Sequence, residues 1–435
     1  MPDAPKAPQG LTRRSLLGAS TAGLFTAGTG LASLARGQSS PPSNLVVVFA
    51  NGGWDTTYCI DGKLGLEGIE GPEVDAGDDP DDVNEMATFG DIPVVINPLR
   101  RPGIETFFST WASETTIVHG IFNGAIGHDL ARGRTLAGAD RADAPDLTVM
   151  FGMDRGEDLP VVAFDLSYFQ QAGEFSSGTG RLSSRAQLAS LIDPAAYPPT
   201  APEGQAPYPG WLPTDAQEAD IAAFTERRVA ALRERWGDGG GPNDRRLDAE
   251  LESLLRVPAL RDAGRRVLLN DPGTLELRAL LAIDMLKKGV TRSVLLSYGD
   301  FDTHYGTREQ NGLHTELFAG LDVLLGGLSA EGLLDDTLVV VVSEMTRSPL
   351  RNAFGGKDHW PHASAMLFGG GLEGNRVVGG TSDRQESLPI DLATGELWER
   401  GELLRYDQFL AGTLTHLGMD SERWLPGVAR WGGLA

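Results

Sequence analysis

The feature that most constrains this chain is a set of six short, nearly continuous apolar runs. They are Leu45–Phe49, Thr116–Ile121, Pro160–Phe164, Ser293–Tyr298, Thr337–Ser343 and Ala363–Phe368. Several are almost pure Val, Leu and Ile, with no polar alternation, which is the pattern of strands covered on both faces. Between them, Ile104–Ala112, Leu275–Lys288, Glu309–Leu328 and Tyr406–Leu417 carry apolar residues at spacings of three and four, the helical period. Strands and helices in alternation predict an α/β, three-layer sandwich around a mostly parallel sheet. The 435 residues, 41% of them hydrophobic, suffice for one large core or two modest ones.

Three segments break the rhythm, and residues 44–435 are otherwise read as one domain. Residues 67–91 form an acidic loop with Asp78, Asp79, Asp81 and Asp82; their spacing lacks the regular calcium-loop pattern, so a solvated insertion is expected. Residues 193–270 begin Pro-rich and continue with charged helices, Ala219–Trp236 and Arg245–Leu255, split by Gly239-Gly240-Gly241. That stretch reads as a helical insertion or cap over one end of the sheet. Residues 377–404 read as a hairpin excursion before the last helix. There is no internal repeat.

Residues 1–37 read as an address. Arg13-Arg14 precedes Leu16-Leu17 and a weakly apolar stretch to Leu34, with small residues at Ser33 and Ala35 for cleavage. A charged start, an apolar middle and a small-residue exit make a signal peptide, and the paired arginines point to the twin-arginine translocase as its partner. The expected location is the periplasm or the extracellular space. Cys59, the lone cysteine, has no intrachain partner and is expected to be a buried small apolar residue. The net charge is −23; residues 1–37 hold four basic residues and one acidic, so the remainder stands at −26. Such a surface repels phosphate backbones and argues against nucleic acid as a partner.

Ligands of open α/β sheets bind beyond the carboxyl ends of the strands, so the polar residues there matter most. The first run ends in Asn51-Gly52-Gly53-Trp54-Asp55, the fourth in Asp300-Phe301-Asp302-Thr303-His304, and the fifth in Ser343-Glu344-Met345-Thr346-Arg347-Ser348-Pro349. A glycine turn then presents Lys357-Asp358-His359-Trp360-Pro361-His362. Carboxylates and imidazoles at several strand ends are the donor types of a divalent-metal site, for zinc, manganese or calcium. His128, His304, His359 and His362 lie in or beside these motifs, whereas His119, His314 and His416 fall within strands or helices and read as structural.

In order, Gly-Gly-Trp-Asp, Asp-Thr-His, Ser-Glu-x-x-Arg-x-Pro and Gly-Gly-x-Asp-His-Trp resemble the bacterial domain-of-unknown-function-1501 proteins. That family is typically exported by the twin-arginine route and is related to sulfatases and alkaline phosphatases. The resemblance runs from about Leu45 to the final helix, where Asp407–Gly418 also matches. It implies an alkaline-phosphatase-like fold, a divalent metal ion, and ligands drawn from Asp55, Asp300, Asp302, His304, Glu344, Asp358 and His359. Two departures stand out. Met345 occupies the place of a paired histidine, and Gly127-His128-Asp129 stands where a hydroxyl or modified cysteine would open a helix, the next hydroxyl being Thr135.

Two functions follow as expectations. One is an exported metal-dependent hydrolase of phosphate or sulfate esters, its substrate an anionic small molecule or glycan ester. There His128 serves as general base or nucleophile and Arg347 grips the anion. The alternative is a non-catalytic exported binding or assembly protein that keeps the fold.

Overall fold

In the computed structural model, the described residues are 40–73, 79–156, 158–181, 214–266 and 273–434. Residues 1–37, Asp78 and the Pro-rich start of the 193–270 segment therefore lie outside them.

All six apolar runs lie in one eight-stranded sheet. In chain order, its strands are β1 (Asn44–Ala50), β4 (Thr115–Phe122), β5 (Ala163–Leu166), β6 (Thr179–Arg181), β7 (Ser293–Tyr298), β8 (Thr337–Val342), β11 (His362–Gly369) and β12 (Arg376–Gly379). A hairpin of β2 (Glu85–Phe89) and β3 (Ile92–Ile96), and another of β9 (Thr346–Arg351) and β10 (Lys357–Trp360), stand outside it. The spatial order is β12-β4-β11-β8-β1-β7-β5-β6. Every neighbouring pair is parallel except those made by β11, which runs antiparallel to both β4 and β8.

The three layers follow from the period of two along each strand. Val46 and Val48 of β1 face one core with Val294, Leu296, Val339 and Val341. That core is closed by helices α1 (Pro102–Trp111), α6 (Leu275–Lys287) and α7 (Glu309–Ala330) through Phe107, Phe108, Leu317 and Phe318. Leu45, Val47 and Phe49 face the opposite core, closed by α3 (Leu147–Arg155) and α8 (Tyr406–His416) through Met150, Phe151, Phe409 and Leu414. Between them in sequence lie α2 (His128–Ala137), α4 (Asp215–Trp236) and α5 (Pro242–Arg266), and α9 (Ser421–Trp424) ends the series.

Some boundaries differ from the sequence reading. β5 begins at Ala163, past Pro160, which cannot donate a ladder hydrogen bond. The 377–404 segment is more than a hairpin, because its first residues, as β12, pair in parallel with β4 at the sheet edge. The described part of the acidic loop is not wholly solvated: Asp82 is buried, 2.7 Å from the Arg100 guanidinium and 2.9 Å from Asn97 Nδ2. Cys59 is buried, as expected. No helix among the described residues is long and apolar enough to cross a membrane.

The antiparallel strand positions the site. Since β11 runs against the others, its start lies at the carboxyl end of β8, and the β9–β10 hairpin that precedes it hangs over that same edge. Residues following β1, β4, β7 and β8 meet the hairpin there.

Candidate metal centre

Gly52 and Gly53 turn the chain away from β1 with φ of +102° and +82°, a region that side chains rarely adopt. A Cβ on Gly52 would stand 2.7 Å from the backbone nitrogens of Phe301 and Asp302. The turn must be bare for the Asp302 loop to lie on it.

Around that turn, four side chains converge. Asp302 Oδ1 is 3.0 Å from His359 Nε2 and 3.0 Å from His304 Nε2, and Asp302 Oδ2 is 3.3 Å from His128 Nε2. The His304 and His359 Nε2 atoms are 3.0 Å apart. His128, Asp302 and His359 each offer a ligand atom within 4.8 Å of the others.

Each ring is held by its other nitrogen. His128 Nδ1 lies 2.8 Å from Glu344 Oε1, His304 Nδ1 lies 3.1 Å from Asp358 Oδ1, and His359 Nδ1 lies 2.5 Å from the Ile126 carbonyl oxygen. All three partners are acceptors, so in each neutral imidazole the proton sits on Nδ1 and the Nε2 lone pair faces the cluster. Bare Nε2 lone pairs at 3.0 Å repel one another unless a cation lies between them. Donor atoms on a tetrahedral zinc stand about 3.3 Å apart, close to the separations here. Two imidazoles and a carboxylate, with a third imidazole beside them, therefore offer donors that fit a divalent ion.

Electrostatics agrees with this arrangement. Partial burial raises the Asp302 carboxyl, but the Arg347 guanidinium, through its hydrogen bond and its charge, leads the effects that hold the group well below the usual carboxylate range. The hydrogen bond to Glu344 raises His128 above the ordinary imidazole value, against the effect of burial. Hydrogen bonds from Asn352 and His304 lower Asp358.

Of the residues anticipated as ligands, the structure brings together Asp302, His304 and His359, and adds His128 to them. Glu344 is fully buried. Its Oε1 accepts the Gly52 N–H at 2.9 Å besides meeting His128, so it orients a ring and does not face the centre. Asp358 likewise steers His304. Asp300 remains exposed on the loop after β7. Asp55 is drawn elsewhere. It caps the short helical turn Thr56–Tyr58, accepting from Thr57 N and Oγ1 at 3.1 and 2.6 Å, and its Oδ2 lies 2.8 Å from Lys357 Nζ with both side chains fully buried. Sequence reasoning did not foresee this Lys357 pair, because the two residues share no local pattern.

Arg347 is also reassigned. Its guanidinium is fully buried, with Nε donating to Gly53 O at 2.8 Å, another nitrogen to Lys357 O at 3.3 Å, and a third to both Gly52 O and Asp302 Oδ1, the latter at 2.7 Å. Every arm is engaged, so it is a clamp on the glycine turn and on Asp302 rather than a grip for a substrate anion. Met345, in place of a paired histidine, packs with Ala125 and Ala131. Thr135 is buried and accepts a hydrogen bond from Asn123 at 3.0 Å.

The fold and the site define an α/β protein with a histidine–carboxylate centre at the carboxyl edge of its sheet. The family model described as "Protein of unknown function (DUF1501)" matches residues 259–424, which contain Asp302, His304, Glu344, Arg347 and His359. No curated protein matches the chain. Among solved structures it is similar to Ps i-CgsB in complex with k-i-k-neocarrahexaose, with 10% identity, a TM-score of 0.43, and coverage of 90% of this chain and 76% of that one. It is also similar to the phosphonate monoester hydrolases of Agrobacterium radiobacter and Silicibacter pomeroyi. Both are 12% identical, with TM-scores of 0.33 and 0.34; 90% and 89% of this chain is covered, against 78% and 77% of theirs. These likenesses are distant, and the chemistry of the site rests on this chain's own residues.

Proposed function

We propose that the protein is an exported metal-dependent hydrolase of phosphate or sulfate esters. The observation that carries this reading is the convergence of three imidazole Nε2 atoms on Asp302, each ring fixed by an acceptor at Nδ1. Packing alone gives no reason for such an arrangement. Asp302, His304 and His359 would hold the ion. A divalent ion bound there supplies Lewis acidity to an ester oxygen and lowers the pKa of an attacking water. His128 makes the longest contact to Asp302 and has a buried carboxylate behind it, the arrangement of an oriented general base. It takes the proton from the attacking water at Nε2 while Glu344 holds Nδ1–H and balances the charge that develops on the ring. The four side chains are 19% to 34% exposed, so ion and substrate reach them from solvent.

Protein purified without chelator should carry close to one divalent ion per chain. His304→Ala and His359→Ala should each lower occupancy, and His416→Ala should not. On a panel of phosphate monoesters, phosphate diesters and sulfate esters, at least one class should be turned over, and His128→Gln should slow it roughly a hundredfold with the ion retained. A chain that binds neither zinc, manganese nor calcium would reduce the cluster to a structural network. The burial of Thr135, the first hydroxyl after His128, favours a second reading, a binding or assembly protein that keeps the ion. A metal-loaded chain inert on the whole panel would establish that reading.

A further inference from the structure

Two of the most exposed large apolar side chains of the described residues stand beside the metal centre. Tyr305, next to His304, is 83% exposed and Phe354 is 70% exposed; their ring centroids are 5.4 Å apart, with a tilt of 51°. Ile126, whose carbonyl holds His359, is 59% exposed. Apolar surface of this kind, left in water next to a polar centre, marks a place where something apolar is received.

The backbone that carries the two rings is held by hydrogen bonds. Asn352 donates from Nδ2 to His304 O at 3.1 Å and to Asp358 Oδ1 at 2.9 Å, while its Oδ1 accepts the Phe354 N–H at 2.9 Å. Lys357 N donates to Thr303 O at 3.1 Å, and a Cβ on Gly356 would fall 2.1 Å from the His304 carbonyl carbon. The turn carrying Phe354 is thus pressed onto the loop carrying His304 and Tyr305, and the backbone that bears the two rings is fixed relative to the centre.

We infer that this centre takes esters whose uncharged part is an aryl or alkyl group, lodged against Tyr305 and Phe354. The inference rests on the anion-ester reading above and names the other half of its substrate. Methylphosphonate and phenylphosphonate, which present the same anionic head with and without a ring, separate the two ideas by calorimetry on the zinc-loaded full-length protein. Phenylphosphonate should bind at least tenfold more tightly. Tyr305→Ser combined with Phe354→Ser should erase that preference and leave the methylphosphonate affinity unchanged; both side chains are exposed, so the fold is not at stake. Equal affinities in the parent protein, a preference that survives the double substitution, or a sugar phosphate that outbinds phenylphosphonate would overturn the inference while the ester reading stands. If neither phosphonate binds the zinc-loaded protein, the anion-ester reading fails and the inference falls with it.

Discussion

The chain's seven histidines fall into two chemical kinds. His128, His304 and His359 are partly exposed and ring a carboxylate. The others serve packing or local hydrogen bonds: His119 meets Ser364 Oγ at 2.8 Å, His362 Nδ1 accepts the Ser387 N–H at 2.9 Å, and His416 Nε2 lies 2.9 Å from Gly370 O. His314 is the extreme case. It is buried among Trp54, Tyr58, Phe301 and Phe318, and its ring nitrogens find no partner of normal hydrogen-bond geometry. Burial, with the charge of Arg101 adding to it, pushes its pKa down to about 3. The folded chain therefore refuses a proton that the unfolded chain accepts below about pH 6.5. Stability attributable to this residue is whole above pH 6.5 and is lost as the pH falls toward 3, by about 3 kcal/mol at pH 4. His314→Phe should keep the ring packing and flatten the difference in denaturant midpoint between pH 7 and pH 4; an unchanged slope would show that His314 stays protonatable. Asp55 makes a different residue-scale point. Its substitution by Asn acts on stability, since it leaves Lys357 buried without its counter-charge.

At the scale of elements, what was legible in the sequence was what packs. β1, β4, β7, β8 and β11, with the helices that cover them, announce themselves through apolar period because both faces of each strand are buried. The β9–β10 hairpin carries Arg347 and His359 yet has no such period: it stands outside the sheet, and Pro349 within it argues against a strand. Edge strands β6 and β12 were missed for a related reason, being short and covered less. The candidate ligands could be picked out as types at strand ends, but their division into ion-facing and supporting groups depends on distances that spacing does not encode. The Gly52-Gly53 turn is a place of close approach, and what approaches it is the protein's own Asp302 loop. Gly52→Ala should therefore cost about 2–4 kcal/mol, through the positive φ and the clash with the Phe301 and Asp302 amides. It should also lower metal occupancy, because Asp302 shifts with its loop. Full occupancy at unchanged stability would mean the turn has slack that the backbone contacts deny.

At the scale of the whole molecule, the layered architecture follows from the sequence because strand and helix periods alternate through residues 44–435 outside the three segments that break the rhythm. Within the export reading, the choice of the twin-arginine route rests on Arg13 and Arg14. Their joint replacement by Lys should leave precursor in the cytoplasm, and sequencing of the exported product should show a new start between Arg36 and Ser40; export unaffected by the double replacement removes that part of the proposal. Strand β11 links this to biosynthesis. It is hydrogen-bonded between β4 and β8, so a nascent chain ending before His362 holds two separate pieces of sheet, β4 on one and β8, β1, β7, β5 and β6 on the other. Until β11 docks, no strand joins the β4 side, which carries His128, to the β7 side, which carries Asp302. The centre is therefore a late product of synthesis, and on the export proposal a route that accepts only finished folds would have the ion chosen in the compartment where the ribosome works.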